Sequence, residues 1–224
     1  MRKVALRAAS VILLVAASFG VSLAQQNAPR PGTAPGQAGP AAQGAQGAGQ
    51  RGAAANPPPF RLMSSAFADG ASLPAKYTCS AGADAVSPPL RWMSAPSSRD
   101  MVSFTLIVHD MEPRPRKGVD DILHWMVWNI PAPATELPEG VSSATADLPD
   151  GSRQTNGNPG QGGITGYRPP CPPQNVPVPH HYAFELFALD TQVNLPATAT
   201  RADVMKEMDG HILAHATLIA PFNR

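Results

Sequence analysis

Several absences narrow this sequence before any motif is considered. Its 224 residues hold only two cysteines, Cys79 and Cys171, which excludes a disulfide-dense scaffold. The two can bridge in an oxidising compartment, or either can stand as a buried thiol. No basic stripe and no interleaving of basic with aromatic residues occurs, so a nucleic-acid partner is not expected. Neither a His-Glu-x-x-His nor a Gly-x-Ser-x-Gly element is present, which argues against a zinc peptidase of that kind and a nucleophile-elbow hydrolase. Glycine does not recur at every third position, so the Gly-rich stretch is not collagen-like.

What is present divides the chain into three parts. Residues 1–24 read as a secretory signal peptide: Arg2, Lys3 and Arg7 open it, an apolar stretch follows, and Ser22-Leu23-Ala24 is a small-x-small cleavage site. The apolar run is short and no charged stop-transfer cluster follows, so no stable membrane insertion is expected after cleavage. The expected location is periplasmic or secreted. Removing those three cations takes the formal net charge from +1 to −2. Residues 25–59 are almost entirely Ala, Gly, Gln and Pro, a composition that cannot bury enough apolar surface to fold and reads as a disordered tether. Residues 60–224 are globular in composition and long enough for one domain with a sizeable core.

Within that domain, alternation of period two dominates. "MVSFTLIVHD" sets Val102, Phe104, Leu106, Val108 and Asp110 on one face, opposite Ser103, Thr105 and His109. "LHWMVWNIP" is more continuously apolar, as in a strand covered on both sides, and simple alternation groups His124 with Met126, Trp128 and Ile130. "HHYAFELFALD" aligns His180, Tyr182, Phe184, Leu186 and Ala188. Pro-rich turns separate these runs. One helix is predicted over "RADVMKEMD", capped by Thr200 with Asp203 and stopped by Gly210, and a last strand lies within "HILAHATLIAPF". The pattern predicts a mainly β domain of sandwich type with Greek-key connections and one or two helices.

Each of three strands thus ends a buried-looking face with a polar group: Asp110, His124, and His180 with Tyr182. Such groups are costly to bury singly. Brought together beside an apolar wall they make a ligand site.

The segments "SPPLRW", "VHDMEPRP", "LHWMVWNIP", "GYRPPCPP", "HHYAFELFALD" and "MDGHILAHATL" follow one another in an order that resembles the phosphatidylethanolamine-binding protein family, and its bacterial, Raf-kinase-inhibitor-like branch in particular. The resemblance covers nearly all of residues 60–224. It implies a large central antiparallel sheet packed on a smaller one, and an anion-binding pocket. By motif position it implies as ligand-binding residues Asp110, His124, the loop residues Pro170, Cys171 and Pro172, and His180 with Tyr182. It implies no cofactor and no metal. The aspartate motif departs from the family pattern, reading "DMEPRP", and His181 stands in place of the usual arginine.

The function expected from these residues is non-catalytic binding of a small anionic or phosphate-containing ligand resembling a phospholipid headgroup, with a protein target as a further partner. His124 and His180 would donate N–H bonds to oxyanion oxygens, more strongly when protonated. The prolines would hold the loop open, Tyr182 would form a wall, and Asp110 would orient a histidine. Two alternatives belong to other classes. One is an inhibitor of a protease or kinase acting through the pocket rim. The other is a metal-dependent hydrolase using the His/His/Asp cluster. His109, His211 and His215 are left as structural or surface residues.

Overall fold

A computed structural model of the protein describes residues 58–96, 100–113, 121–156, 163–175 and 177–224. The segments expected as a signal peptide and, before residue 58, as a tether, and Arg114 of the aspartate motif, lie outside them. Among the described residues no helix is long and apolar enough to cross a membrane.

Two antiparallel sheets carry the fold. The smaller contains β1 (Arg61–Met63), β2 (Leu90–Met93) and β5 (Glu136–Leu137) in the order β1-β2-β5. The larger contains β3 (Ser103–Asp110), β4 (Ile122–Pro131), β6 (Arg153–Gln154), β7 (His180–Leu189) and β8 (Ile212–Phe222), in the order β6-β4-β3-β7-β8. The chain leaves the large sheet after β4, returns beside it as β6, and crosses to enter as β7 on the far side of β3. That crossing is the long return of a Greek-key arrangement. Pro221 is tolerated in β8 because β8 is an edge strand, where a missing N–H interrupts no inner ladder.

The larger sheet is covered on both faces, so all of β3 is buried, including its polar alternation. One face carries Phe104, Leu106, Val108, Trp125, Val127, Tyr182, Phe184 and Leu186, packed on Leu62, Leu90 and Trp92 of the smaller sheet. The other carries Ile107, Met126, Trp128 and Leu189 against Val204 and Met208 of α1 (Arg201–Met208). That helix begins with the expected capping box, Thr200 and Asp203 each accepting the other's backbone N–H.

The polar side of β3 is therefore a second interior, and His109 enters it with partners. Its Nδ1 lies 2.6 Å from Asp121 and its Nε2 3.1 Å from Glu185. Arg201 pairs with Asp121 and stands 3.9 Å from Glu185, tying α1 to the sheet.

The face expected for His124 is corrected by two β-bulges in β4. Phe104 pairs with Ile130 but Leu106 with Val127, and Val108 pairs with Trp125 but His109 with Leu123. Each step leaves one extra residue on β4, in the first case near Asn129, whose φ is +58°, and in the second at His124. A bulge puts two neighbouring side chains on one side of the sheet. His124 consequently shares the face of Trp125 and Tyr182, while Met126 and Trp128 point the other way and Ile130 returns to the first side.

Candidate functional site

The bulge, two strand ends and one proline loop make the site. Asp110 is the last residue of β3 and Tyr182 is its cross-strand partner on β7. His180 lies two residues before Tyr182, hence on the same face. Its Nδ1 is 2.7 Å from Asp110 Oδ2. The Asp110 Oδ1 accepts the N–H of Glu112 at 3.2 Å, a local turn that closes the end of the strand. Burial pushes the Asp110 carboxyl above its ordinary range, against the pull of His180.

His124 stands edge-on to Tyr182, ring centres 5.2 Å apart. Only 3% of it is exposed. Burial lowers its pKa to about 4, overriding its hydrogen bond to the Arg168 carbonyl. The expectation that both histidines charge below neutral pH is corrected for His124, which stays neutral. The Tyr182 hydroxyl is buried without a hydrogen-bond partner. Burial first, and then the charge of Asp110, push its pKa far up, so it remains protonated. It is a wall rather than an exposed contact.

The loop "GYRPPCPP" is pinned at several points. Gly166 has φ +71°, and a Cβ there would lie 2.7 Å from the Gln154 side-chain oxygen, so only glycine lets the loop pass. The Tyr167 ring packs edge-on to Trp125, and its hydroxyl donates to the Tyr77 carbonyl at 2.8 Å. Arg168 N–H donates to the His124 carbonyl at 2.9 Å, and His124 Nδ1 reaches the Arg168 carbonyl at 2.8 Å. Pro170 and Pro172 are buried, and the Pro170 carbonyl accepts the Cys79 N–H at 2.9 Å. Cys171 is disulfide-bonded to Cys79, Cα atoms 5.3 Å apart. That resolves the two cysteine alternatives and removes any thiol chemistry at Cys171 in the oxidised protein.

Two residues at the site were not expected. Glu112 accepts both the N–H of His181, at 2.6 Å, and its Nδ1, at 2.7 Å. Burial works to raise its carboxyl, but the bonds from His181 hold it below the ordinary range. Arg168 is the other. Its positive charge acts on both His124 and Tyr182, and its guanidinium has no ion-pair partner among the described residues. The motif "GYRPP" contains the signal, but only the fold shows that this cation stands beside the histidine bulge. The ligand atoms of Asp110, Glu112 and His180 lie within 4.8 Å of one another; His124 does not belong to that group.

Two stacked sheets with an acid–imidazole pair, a bulged histidine and a proline loop at one end of the larger define a β-class protein with a polar end-of-sheet site. A model of the phosphatidylethanolamine-binding protein family matches residues 63–223, and the chain belongs to that family. It is 39% identical over 165 residues to a UPF0098 protein of Methanothermobacter thermautotrophicus, covering 74% of this chain and 99% of that one. A UPF0098 protein of Pyrococcus horikoshii is 37% identical over 163 residues, covering 72% and 76%. Among solved structures, a putative phosphatidylethanolamine-binding protein homologue from Chlamydia trachomatis matches with TM-score 0.60 and 31% identity, over 74% of this chain and 98% of that one. E. coli YbcL matches with TM-score 0.62 and 27% identity, over the same 74% and 98%.

Proposed function

We propose that this is an exported, non-catalytic binding protein whose site takes small oxyanions or phosphate-containing ligands, and that it acts on other proteins through the ligand it holds. The observation that carries the reading is the guanidinium of Arg168. Asp110 is matched by His180 and Glu112 by His181, so the acids of the site have cationic or donor partners within the protein. Arg168 adds a positive charge that no described acid answers. An anion entering beside His180 and Arg168 would supply the missing countercharge.

Titration calorimetry of the purified protein with inorganic phosphate at low ionic strength tests this. Arg168→Gln is expected to weaken binding about tenfold, the scale of one lost charge-assisted hydrogen bond, and added salt to weaken the wild type. Binding untouched by the substitution, or no binding by the wild type, defeats the proposal.

A second reading rests on the clustered ligand atoms of Asp110, Glu112 and His180, which could hold a divalent cation for hydrolysis. Stoichiometric zinc or iron in the purified protein would favour it. Inhibition of an exported protease remains a proposal, to be tested by incubation with a panel of such enzymes.

A further inference from the structure

Resting on the oxyanion reading of this site, we propose that it selects a phosphomonoester that keeps a proton on one phosphate oxygen, and rejects sulfate and phosphodiesters. The argument begins with a hydrogen bond whose direction is fixed. His124 Nδ1 lies 2.8 Å from the Arg168 carbonyl oxygen, and a carbonyl can only accept, so Nδ1 carries the hydrogen. The ring is buried and stays neutral down to about pH 4. A neutral imidazole has a single N–H. Nε2 is therefore a bare lone pair, and no described residue donates to it.

An oxygen placed against Nε2 must bring its own hydrogen. At the neighbouring position the demand is reversed. There Arg168, whose guanidinium carries only N–H donors, brings its charge to bear on His124 and Tyr182. The other groups around His124 do not alter this pattern. Tyr182 on β7 keeps its proton, while His109 on β3, Asp121 ahead of β4 and Arg168 in the loop act on His124 through their charge. The site thus combines an acceptor at His124 with a donor at Arg168.

A phosphomonoester monoanion offers one P–OH and bare oxygens beside it. Sulfate and phosphodiesters have no such hydrogen at the same pH. Either would leave the Nε2 lone pair facing an oxygen lone pair in a largely buried place. Sites with a buried group left unpaired reject the analogue strongly.

Methyl phosphate and dimethyl phosphate separate the idea from simple charge attraction. At pH 5.5, below the second phosphate pKa of about 6, both are mainly monoanions and differ in the P–OH. Calorimetry with the full chain is expected to show methyl phosphate binding at least about tenfold more tightly than dimethyl phosphate or sulfate. His124→Gln, whose amide can turn an N–H toward the ligand, is expected to narrow the gap to about threefold. Equal affinity for the three ligands, or an unchanged gap in a folded variant, overturns the selection while the oxyanion reading stands. Absence of binding by all three overturns both. If the variant does not fold, the wild-type comparison decides alone.

Discussion

His124 and Arg168 hold each other twice, side chain to carbonyl at 2.8 Å and amide to carbonyl at 2.9 Å. The first bond sets the histidine tautomer. The second fastens the proline loop to the bulge that aims the ring. Strand and loop therefore position one another, and the consequences for pH, redox state and charge can be measured separately.

Acid should unfasten this contact. The folded pKa of His124, about 4, lies below the unfolded value of about 6.5. Between those values the unfolded chain binds more protons, so stability rises with pH and is lost as pH falls through that window. The expected loss is up to roughly 3 kcal/mol, because every pH step of one between the folded and unfolded pKa corresponds to about 1.4 kcal/mol. Urea denaturation from pH 7 to 4.5 should show a steeper decline in the wild type than in His124→Gln. Parallel slopes would mean that the ring is not buried in its neutral form.

The Cys79–Cys171 bond closes a span of 92 residues and anchors the loop two residues after Pro169. Replacing both cysteines by serine should cost about 2–4 kcal/mol. Amide exchange should accelerate at Arg168, whose N–H bonds to His124, well before it does in β3. Uniform acceleration throughout the domain would show that the bridge stabilises the fold without a special hold on the loop.

Between the sheet and α1, His109 meets a carboxylate at each ring nitrogen, and Glu185 is held below the ordinary carboxylate range chiefly by the bond from His109. Replacing His109 by Leu leaves Asp121 and Glu185 facing only Arg201 and the partly exposed His215. A loss of about 3 kcal/mol in urea denaturation is expected. A loss below about 0.5 kcal/mol would mean that these charges behave as solvated surface groups.

Asp110→Asn gives a test of sign. If charge alone mattered, removing an acid from an anion site would tighten binding. Because Asp110 orients His180 through the 2.7 Å contact to its Nδ1, phosphate affinity is instead expected to fall about fivefold, on the scale of one weakened hydrogen bond in the site. Tighter binding would reduce Asp110 to a repulsive bystander.

The parts of this arrangement that obey simple alternation are legible in the sequence. His180, Tyr182 and Phe184 share a face as their spacing predicts, Asp110 closes the buried strand that carries Phe104, Leu106 and Val108, and Thr200 with Asp203 caps α1. His124 defeats the same arithmetic, because a bulge has no composition of its own and only strand pairing reveals the extra residue. His109 falls on the expected side of β3, yet that side is interior. The ion pairs that satisfy it come from β7, α1 and the approach to β4, which no local pattern connects. Arg168 stays hidden for a related reason: its role depends on the path of an irregular loop.

The paired bulges of β4 carry a consequence for any change in chain length. Each reverses the in–out phase of the strand, so the two together cancel and both ends of β4 keep a common setting. Deleting a single residue between Leu123 and Ile130 would leave one reversal uncompensated, turning either the indole layer or the imidazole to the wrong side. Losing one at each bulge would restore the phase of the flanks, but the residue lost at the second would be His124 or Trp125, so one of the two neighbours that the bulge sets on the same face would go with it.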